Sequence, residues 1–189
     1  MSKITIYQKP FPALDLDGHY HLRESLLTDT ETFFNYYKDP NVHQYILTNP
    51  PKNLEDARAD MNYSQQLFKH RRGLYWAIAT KINNEMKGSI GLYINSYHHR
   101  AEIFYDLSKN SWGEGIMSKA INRVAEFAFQ TIGLFRVEAV TMTQNVASIA
   151  VLKKCGFQYD GRLRNYKYFQ NKPFDVELFS KIPASKEDK

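Results

Sequence analysis

The chain predicts an α+β fold, with a mixed, mostly antiparallel central sheet of about seven strands flanked by about four helices. Three observations carry this expectation. Leu74 to Thr80, Met86 to Ile94 and Arg100 to Leu107 are strand-like runs separated by short polar joins, the pattern of an antiparallel meander. Apolar residues at helical spacing lie on both sides of that meander. Two more strand-like runs, Phe157 to Phe169 and Phe174 to Lys181, close the chain around the turn Gln170 to Pro173. The predicted order is β, α, α, β, β, β, α, β, α, β, β.

Taken in order, His19 to Ser25 reads as a strand. Thr28 followed by Glu31 forms a capping box that opens a helix through Phe33, Phe34, Tyr36 and Tyr37, and Pro40 closes it. Asn53 caps a second helix with Leu54, Ala57, Met61, Ser64 and Phe68 on one face, and Gly73 follows its basic end. The first two meander strands join at Asn83-Asn84, a pair that tolerates positive φ. After the meander, Ile116, Ala120, Val124, Phe127 and Ala128 recur at helical spacing up to Gly133. Phe135 to Thr143 is a largely buried strand. A helix from about Val146 to Cys155 stops at Gly156. No internal repeat or low-complexity tract interrupts this order.

Bulk properties bound the function. With 189 residues and 43% apolar content the chain suits one domain, with a core from about His19 to Ile182 and a frayed tail from Ala184 to Lys189. No apolar run approaches the roughly 18 residues that span a bilayer, and Met1 to Pro12 lacks the apolar centre of a signal peptide, so the expected compartment is the cytoplasm. Cys155 is the only cysteine, which excludes an internal disulfide and argues against a cysteine metal site. The formal charge of +5 suits an anionic ligand. It is not gathered into a stripe, so direct nucleic-acid binding is not expected.

The chemistry begins at Asn110 to Ala120, NSWGEGIMSKA, where a glycine pair stands between a strand and a helix. Glycine lets backbone approach a ligand, and a helix N-terminus presents unpaired N–H groups and a positive dipole end. Such a turn seats an anion. A dinucleotide fold would need its glycines early, in a parallel βαβ unit, as GxGxxG. Gly113 and Gly115 lack the third glycine and follow an antiparallel meander, which weakens the dinucleotide reading and leaves an acyl-carrier pyrophosphate site or an ordinary loop.

WGEGIMSKA, together with QNVASIAVLKKCGF from Gln144 to Phe157 and AEIFYDL from Ala101 to Leu107, resembles the GNAT superfamily of acyl-CoA-dependent N-acetyltransferases. The spellings are most similar to the RimJ/RimL branch, which acetylates N-terminal amines of ribosomal proteins. The resemblance implies that acetyl-CoA is the co-substrate and that the backbone of Trp112, Gly113, Glu114, Gly115, Ile116 and Met117 holds its pyrophosphate. The pantetheine arm would lie beside Phe104, Tyr105, Asp106 and Leu107 like an added strand. Trp112 has an equal reading as a packing residue beside the loop. Asn145 and Ser148 share one side of the next helix's first turn. The resemblance implies that Asn145 holds the pantetheine and that Ser148 protonates the leaving thiolate, with Tyr159, Tyr166 and Tyr168 in reserve. Without it, Asn145 is a helix cap and Ser148 a packing serine.

An N-terminal amine titrates near 8 and a lysine near 10.4, so an N-terminal acceptor is easier to deprotonate by roughly 3 kcal/mol and needs only a modest base. Glu102 occupies the strand position where the branch carries a carboxylate facing the acceptor; otherwise it is an exposed strand residue. Attack is expected to be direct, in a ternary complex, with a backbone N–H near Tyr105 holding the oxyanion. One departure stands out. Serine-preferring members carry an acidic residue where this chain has Lys167, in Asn165-Tyr166-Lys167-Tyr168. Either Glu102 bears the base role alone or the acceptor differs. Asp175 and Glu177 are candidates for the missing negative field.

Other residues promise less. His19 and His21, or His98 and His99, lack a carboxylate at metal-ligand spacing, so no metal is expected. His43, Phe33, Phe34, Tyr37 and Tyr45 fall where relatives shape the acceptor pocket. Lys119, Arg123, Lys153 and Lys154 lie near the expected cofactor path. The expected partners are acetyl-CoA and a protein N-terminus or a small amine, with no membrane, for a monomer or homodimer. The alternatives are a polyamine or aminoglycoside acetyltransferase and an acyl-CoA-binding module without turnover.

Overall fold

Residues 5–184 are described by the computed structural model of this chain, so of the tail predicted to fray only Ala184 falls within it. An eight-stranded sheet organises the fold, in the order β1-β2-β3-β4-β5-β6-β8-β7. Its strands are β1 (Leu14–Asp15), β2 (Tyr20–Glu24), β3 (Gly73–Thr80), β4 (Met86–Asn95), β5 (Arg100–Leu107), β6 (Arg136–Met142), β7 (Gln158–Phe169) and β8 (Lys172–Lys181). All neighbours are antiparallel except β5 and β6. The α-helices are α1 (Thr30–Tyr37), α2 (Pro40–His43), α3 (Leu54–Lys69), α4 (Ile116–Phe127) and α5 (Val146–Lys154). The count exceeds the sequence expectation by the two-residue β1 and the one-turn α2. Elements that short carry no periodicity to read.

Strand β3 shows how the layers form. Leu74, Trp76 and Ile78 pack with Ile116, Ile121 and Val124 of α4, whereas Tyr75 and Ala77 pack with Phe33 and Tyr37 of α1 and Met61 of α3. Side chains alternate across a strand, so a strand buried on both sides separates two cores. Helices α1 and α3 therefore cover one face and α4 and α5 the other.

The sequence boundaries hold best where backbone chemistry sets them. The Asn53 side chain accepts from Asp56 N–H at 2.9 Å and caps α3, and Asn84 takes φ +58 at the β3–β4 turn. Three details differ. The Thr28–Glu31 capping box is replaced by Asp29, whose carboxylate accepts from Leu26 N–H at 2.8 Å and from the two terminal guanidinium nitrogens of Arg23. Pro40 opens α2 rather than merely ending α1, because Asp39 caps the Asn41 N–H at 2.9 Å and proline suits the first helical position. The apolar face of α3 runs through Leu67, with Leu54 left exposed.

Candidate active site

The site begins as a defect in the sheet. Strands β5 and β6 pair at three positions only, Arg100, Ala101 and Glu102 opposite Arg136, Val137 and Glu138. Beyond them β5 continues to Leu107 with β4 as its partner, while β6 remains paired with β8. The closed end of this split is held by Glu138, whose carboxylate accepts from Arg136 at 2.9 Å and also pairs with Arg100. At the open end, the second edge of residues 103–107 offers backbone groups for an extended amide chain to bond.

The glycine loop follows directly. Gly113 and Gly115 take φ +83 and +75, and Gly115 is the N-cap of α4. An L side chain is strained there, although a Cβ at either glycine would meet nothing within 4 Å. The space beside both glycines is thus open, and the first N–H groups of the twelve-residue α4, which directly follows, have no partner within the helix. This meets the needs of a pyrophosphate. The Trp112 indole N–H donates to the Leu107 carbonyl at 2.9 Å, which ties the loop to β5 while the ring stays 47% exposed. Ile116 turns its side chain into the core, so it can contribute only backbone. The Glu114 carboxylate accepts from Tyr20 Oη at 3.0 Å. Lys119 Nζ pairs with Asp17 at 2.5 Å, and this bond is the leading reason the Asp17 carboxyl falls to about 2.

Across the split, the Asn145 side-chain carbonyl accepts from Ser148 N–H at 3.0 Å and caps α5. Its amide –NH2 is left as a donor for a ligand. Ser148 Oγ lies 2.9 Å from Tyr105 Oη. Burial pushes the Tyr105 phenol well above its ordinary value. The serine is therefore one half of a neutral hydroxyl pair that bridges the split.

A cavity of about 470 Å³ opens at this point, reaching from Asn145, Ser148 and Tyr105 to the α1–α3 face of the sheet. Glu102 lines it, with Lys167 Nζ at 3.4 Å. The departure at Lys167 is thus a direct neighbour of the predicted base. On the same face of β5, Asp106 lines the cavity and accepts from Tyr36 Oη at 2.7 Å and Ser89 Oγ at 2.5 Å. Burial raises its carboxyl to about 6 against the lowering effect of those bonds. Asp60 of α3 stands at the rim, raised first by burial and then by Asp56. The lining is otherwise strongly aromatic, with Tyr93 stacked on Phe104 at 4.4 Å. Gly91 lies opposite Phe104, and a Cβ there would come within 2.3 Å of its ring. Only glycine lets that ring lie over β4.

The predicted residues divide clearly. Glu102, Phe104, Tyr105, Asp106, Asn145 and Ser148 meet in one cavity, as do Phe33, Tyr37 and Tyr45. Tyr159, Tyr166, Tyr168, Asp175 and Glu177 do not line it. Glu177 accepts from Tyr159 and Arg162, and Asp175 accepts from the Asn165 N–H, so neither is available to an acceptor there. Sequence reasoning missed the Tyr105 hydroxyl, the Asp106 side chain, Asp60, Tyr63, Tyr75 and Tyr93. For Asp106 the signal was present in its alternation with Glu102. For the others only tertiary packing assembles the group. Among the described residues no cluster of three or more histidine, cysteine or acidic side chains could hold a metal.

The Acetyltransferase (GNAT) domain family matches residues 20–158. The chain belongs to the GNAT acetyltransferases. Among its relatives is YoaA of Bacillus subtilis (strain 168), an uncharacterised N-acetyltransferase that is 33% identical over 171 residues, covering 90% of this chain and 96% of YoaA. The fold superimposes on the Microcin C7 self-immunity acetyltransferase MccE in complex with acetyl-CoA and AMP, with a TM-score of 0.82 and 21% identity over 94% of this chain and 99% of MccE. RimL, a ribosomal L7/L12 α-N-protein acetyltransferase solved with coenzyme A, gives 0.81 and 20% over 90% of this chain and 98% of RimL. These structural likenesses establish the GNAT fold, and the family match makes the chain an acetyl-CoA-dependent N-acetyltransferase. No helix among the described residues is long and apolar enough to cross a membrane.

Proposed function

We propose that this GNAT chain acts in the cytoplasm, as a single domain, and transfers the acetyl group of acetyl-CoA to the N-terminal α-amine of a protein, one of ribosomal-protein type. The observation that carries this reading is the shared cavity, which has a carboxylate at Glu102 and the Tyr105–Ser148 hydroxyl pair on two of its walls. That arrangement suits direct attack in a ternary complex. Cys155, the one thiol, is buried with Sγ toward the Ser118 carbonyl and does not line the cavity.

When bound, acetyl-CoA supplies a thioester carbonyl; the backbone of 112–117 and of 104–107 and the Asn145 amide hold it. Glu102 takes, directly or through one water, the proton that the acceptor nitrogen gives up as its C–N bond forms. Ser148, supported by Tyr105, gives a proton to the thiolate as the C–S bond breaks. A backbone N–H near Tyr105 meets the developing oxyanion. The pairing of Lys167 with Glu102 implies that an incoming amine displaces this contact, which favours an acceptor with a low amine pKa.

A small-molecule amine is the second reading. Asp60 and Asp106 favour it, since they make the cavity more acidic than the sequence suggested. Incubation with labelled acetyl-CoA separates the readings. Label on free N-terminal peptides supports the first, label on polyamines or aminoglycosides alone supports the second, and label on neither overturns both.

A further inference from the structure

Asp106 has no evident part in moving the acceptor's proton, since Glu102 stands four residues nearer the closed end of the split, about 13 Å away along the strand. Both residues face the α1–α3 side, with Phe104 between them. The groups bonded to the Asp106 carboxylate are neutral donors, the Tyr36 hydroxyl on α1 and the Ser89 hydroxyl and backbone N–H on β4. Among the described residues Lys167 is the one lysine or arginine lining the cavity, and it stands against Glu102. The Asp106 end of the cavity therefore holds a partly desolvated negative charge without a compensating cation. Tyr75, Tyr93 and Phe104 line the space between, and aromatic faces attract cations as carboxylates do. A desolvated carboxylate in an aromatic chamber is stabilised most by an ammonium or guanidinium brought in from outside.

We infer that Asp106 selects acceptors that carry a second positive charge on the order of 10 Å from the reacting amine, the span between the two β5 carboxylates. The reacting nitrogen lies at the Glu102 end and the second cation at the Asp106 end, with Asp60 guiding it at the rim. A basic side chain next to a peptide N-terminus and the far ammonium of a linear diamine share this chemistry. The inference rests on the acetyl-transfer reading and specifies which amines that reaction takes.

The test uses the full chain at saturating acetyl-CoA with two matched acceptor pairs. One pair is a peptide with lysine in its second position and the same peptide with norleucine there. The other is a linear diamine and the monoamine of equal length. The wild type is expected to favour the doubly charged member of at least one pair by about tenfold in kcat/KM, through KM. Asp106→Asn keeps the shape and removes the charge; its amide nitrogen donates where a carboxylate oxygen accepted, so Tyr36 or Ser89 turns its hydroxyl to accept, and the preference is expected to fall to within about twofold. Asp106→Glu is expected to retain it. A melting midpoint and an acetyl-CoA titration on each variant establish that it is folded and binds its co-substrate. Equal use of both members by the wild type overturns the inference whether or not any variant folds, and so does a preference that survives in Asp106→Asn. Diamines acetylated with preference and peptides untouched would support the inference and overturn the N-terminal reading. Peptides acetylated without preference would do the reverse.

Discussion

The two walls of the β5–β6 split are built from different materials. The side predicted to hold acetyl-CoA is made of backbone: an unpaired strand edge, two positive-φ glycines, and the first turn of α4. The acceptor side is made of side chains, namely Glu102, Asp106, Asp60, Lys167 and a set of tyrosines contributed by α1, α3, β3, β4, β5 and the α2–α3 connection. A backbone site depends on torsion angles and accepts most side chains around it. A side-chain site changes with each substitution. The first suits a co-substrate shared by a whole family, and the second suits an acceptor that differs from member to member.

The comparison can be broken in graded steps. The largest expected effect lies on the backbone wall. The double variant Gly113→Ala, Gly115→Ala creates no clash, since a Cβ at either position meets nothing within 4 Å. Holding alanine at positive φ costs about 1–2 kcal/mol per residue, so the loop is expected to relax and acetyl-CoA affinity to fall about a hundredfold by calorimetry. Unchanged affinity would mean that the loop torsions do not serve the pyrophosphate. Next, Glu102→Gln is expected to lower kcat/KM for an N-terminal peptide about a hundredfold at neutral pH and to leave acetyl-CoA affinity alone. An intact rate and pH profile would remove Glu102 from the base role.

Smaller again is the hydroxyl pair. Ser148→Ala and Tyr105→Phe are each expected to reduce kcat about tenfold, and the double variant little more, because the two hydroxyls act as one unit. Full kcat in Ser148→Ala would exclude it as the proton donor. The last effect is read on stability rather than on rate. Burial raises the Asp106 carboxyl from 3.8 to about 6. Between those values the native state holds a proton that the unfolded chain has released, so this group's contribution falls as pH rises through the window and is level above it. Asp106→Asn has no such slope. Urea melts are expected to show it gaining about 2 kcal/mol on the wild type between about pH 4 and about pH 8, the discount from the full shift reflecting the cavity's solvent.

The same division explains which features are legible in the amino-acid sequence. Asn53, Asn84, Gly113, Gly115 and Asn145 announce their caps and turns, because each satisfies a local backbone requirement. The α+β order and the antiparallel meander follow from periodicity, and β5 is placed to the residue. The acceptor cavity is only half legible. Glu102 is found through the motif around it, but its contact with Lys167 joins positions 65 residues apart. Tyr36 and Asp106 are 70 apart. The first depends on where the β7–β8 hairpin carries Lys167 and the second on how α1 packs over the sheet, and no local pattern encodes either. The capping residue before α1 is misread for a related reason: Arg23 on β2 holds Asp29 in a pose that a local reading could not anticipate.

The most direct test of the central claim follows the label. Wild-type chain with labelled acetyl-CoA is given one basic peptide in two forms, with its N-terminus free and with it blocked, and both carry an internal lysine. The account predicts label at the α-amine of the free peptide and none on the blocked one. Label on the lysine of the blocked peptide, or on neither form, would contradict it.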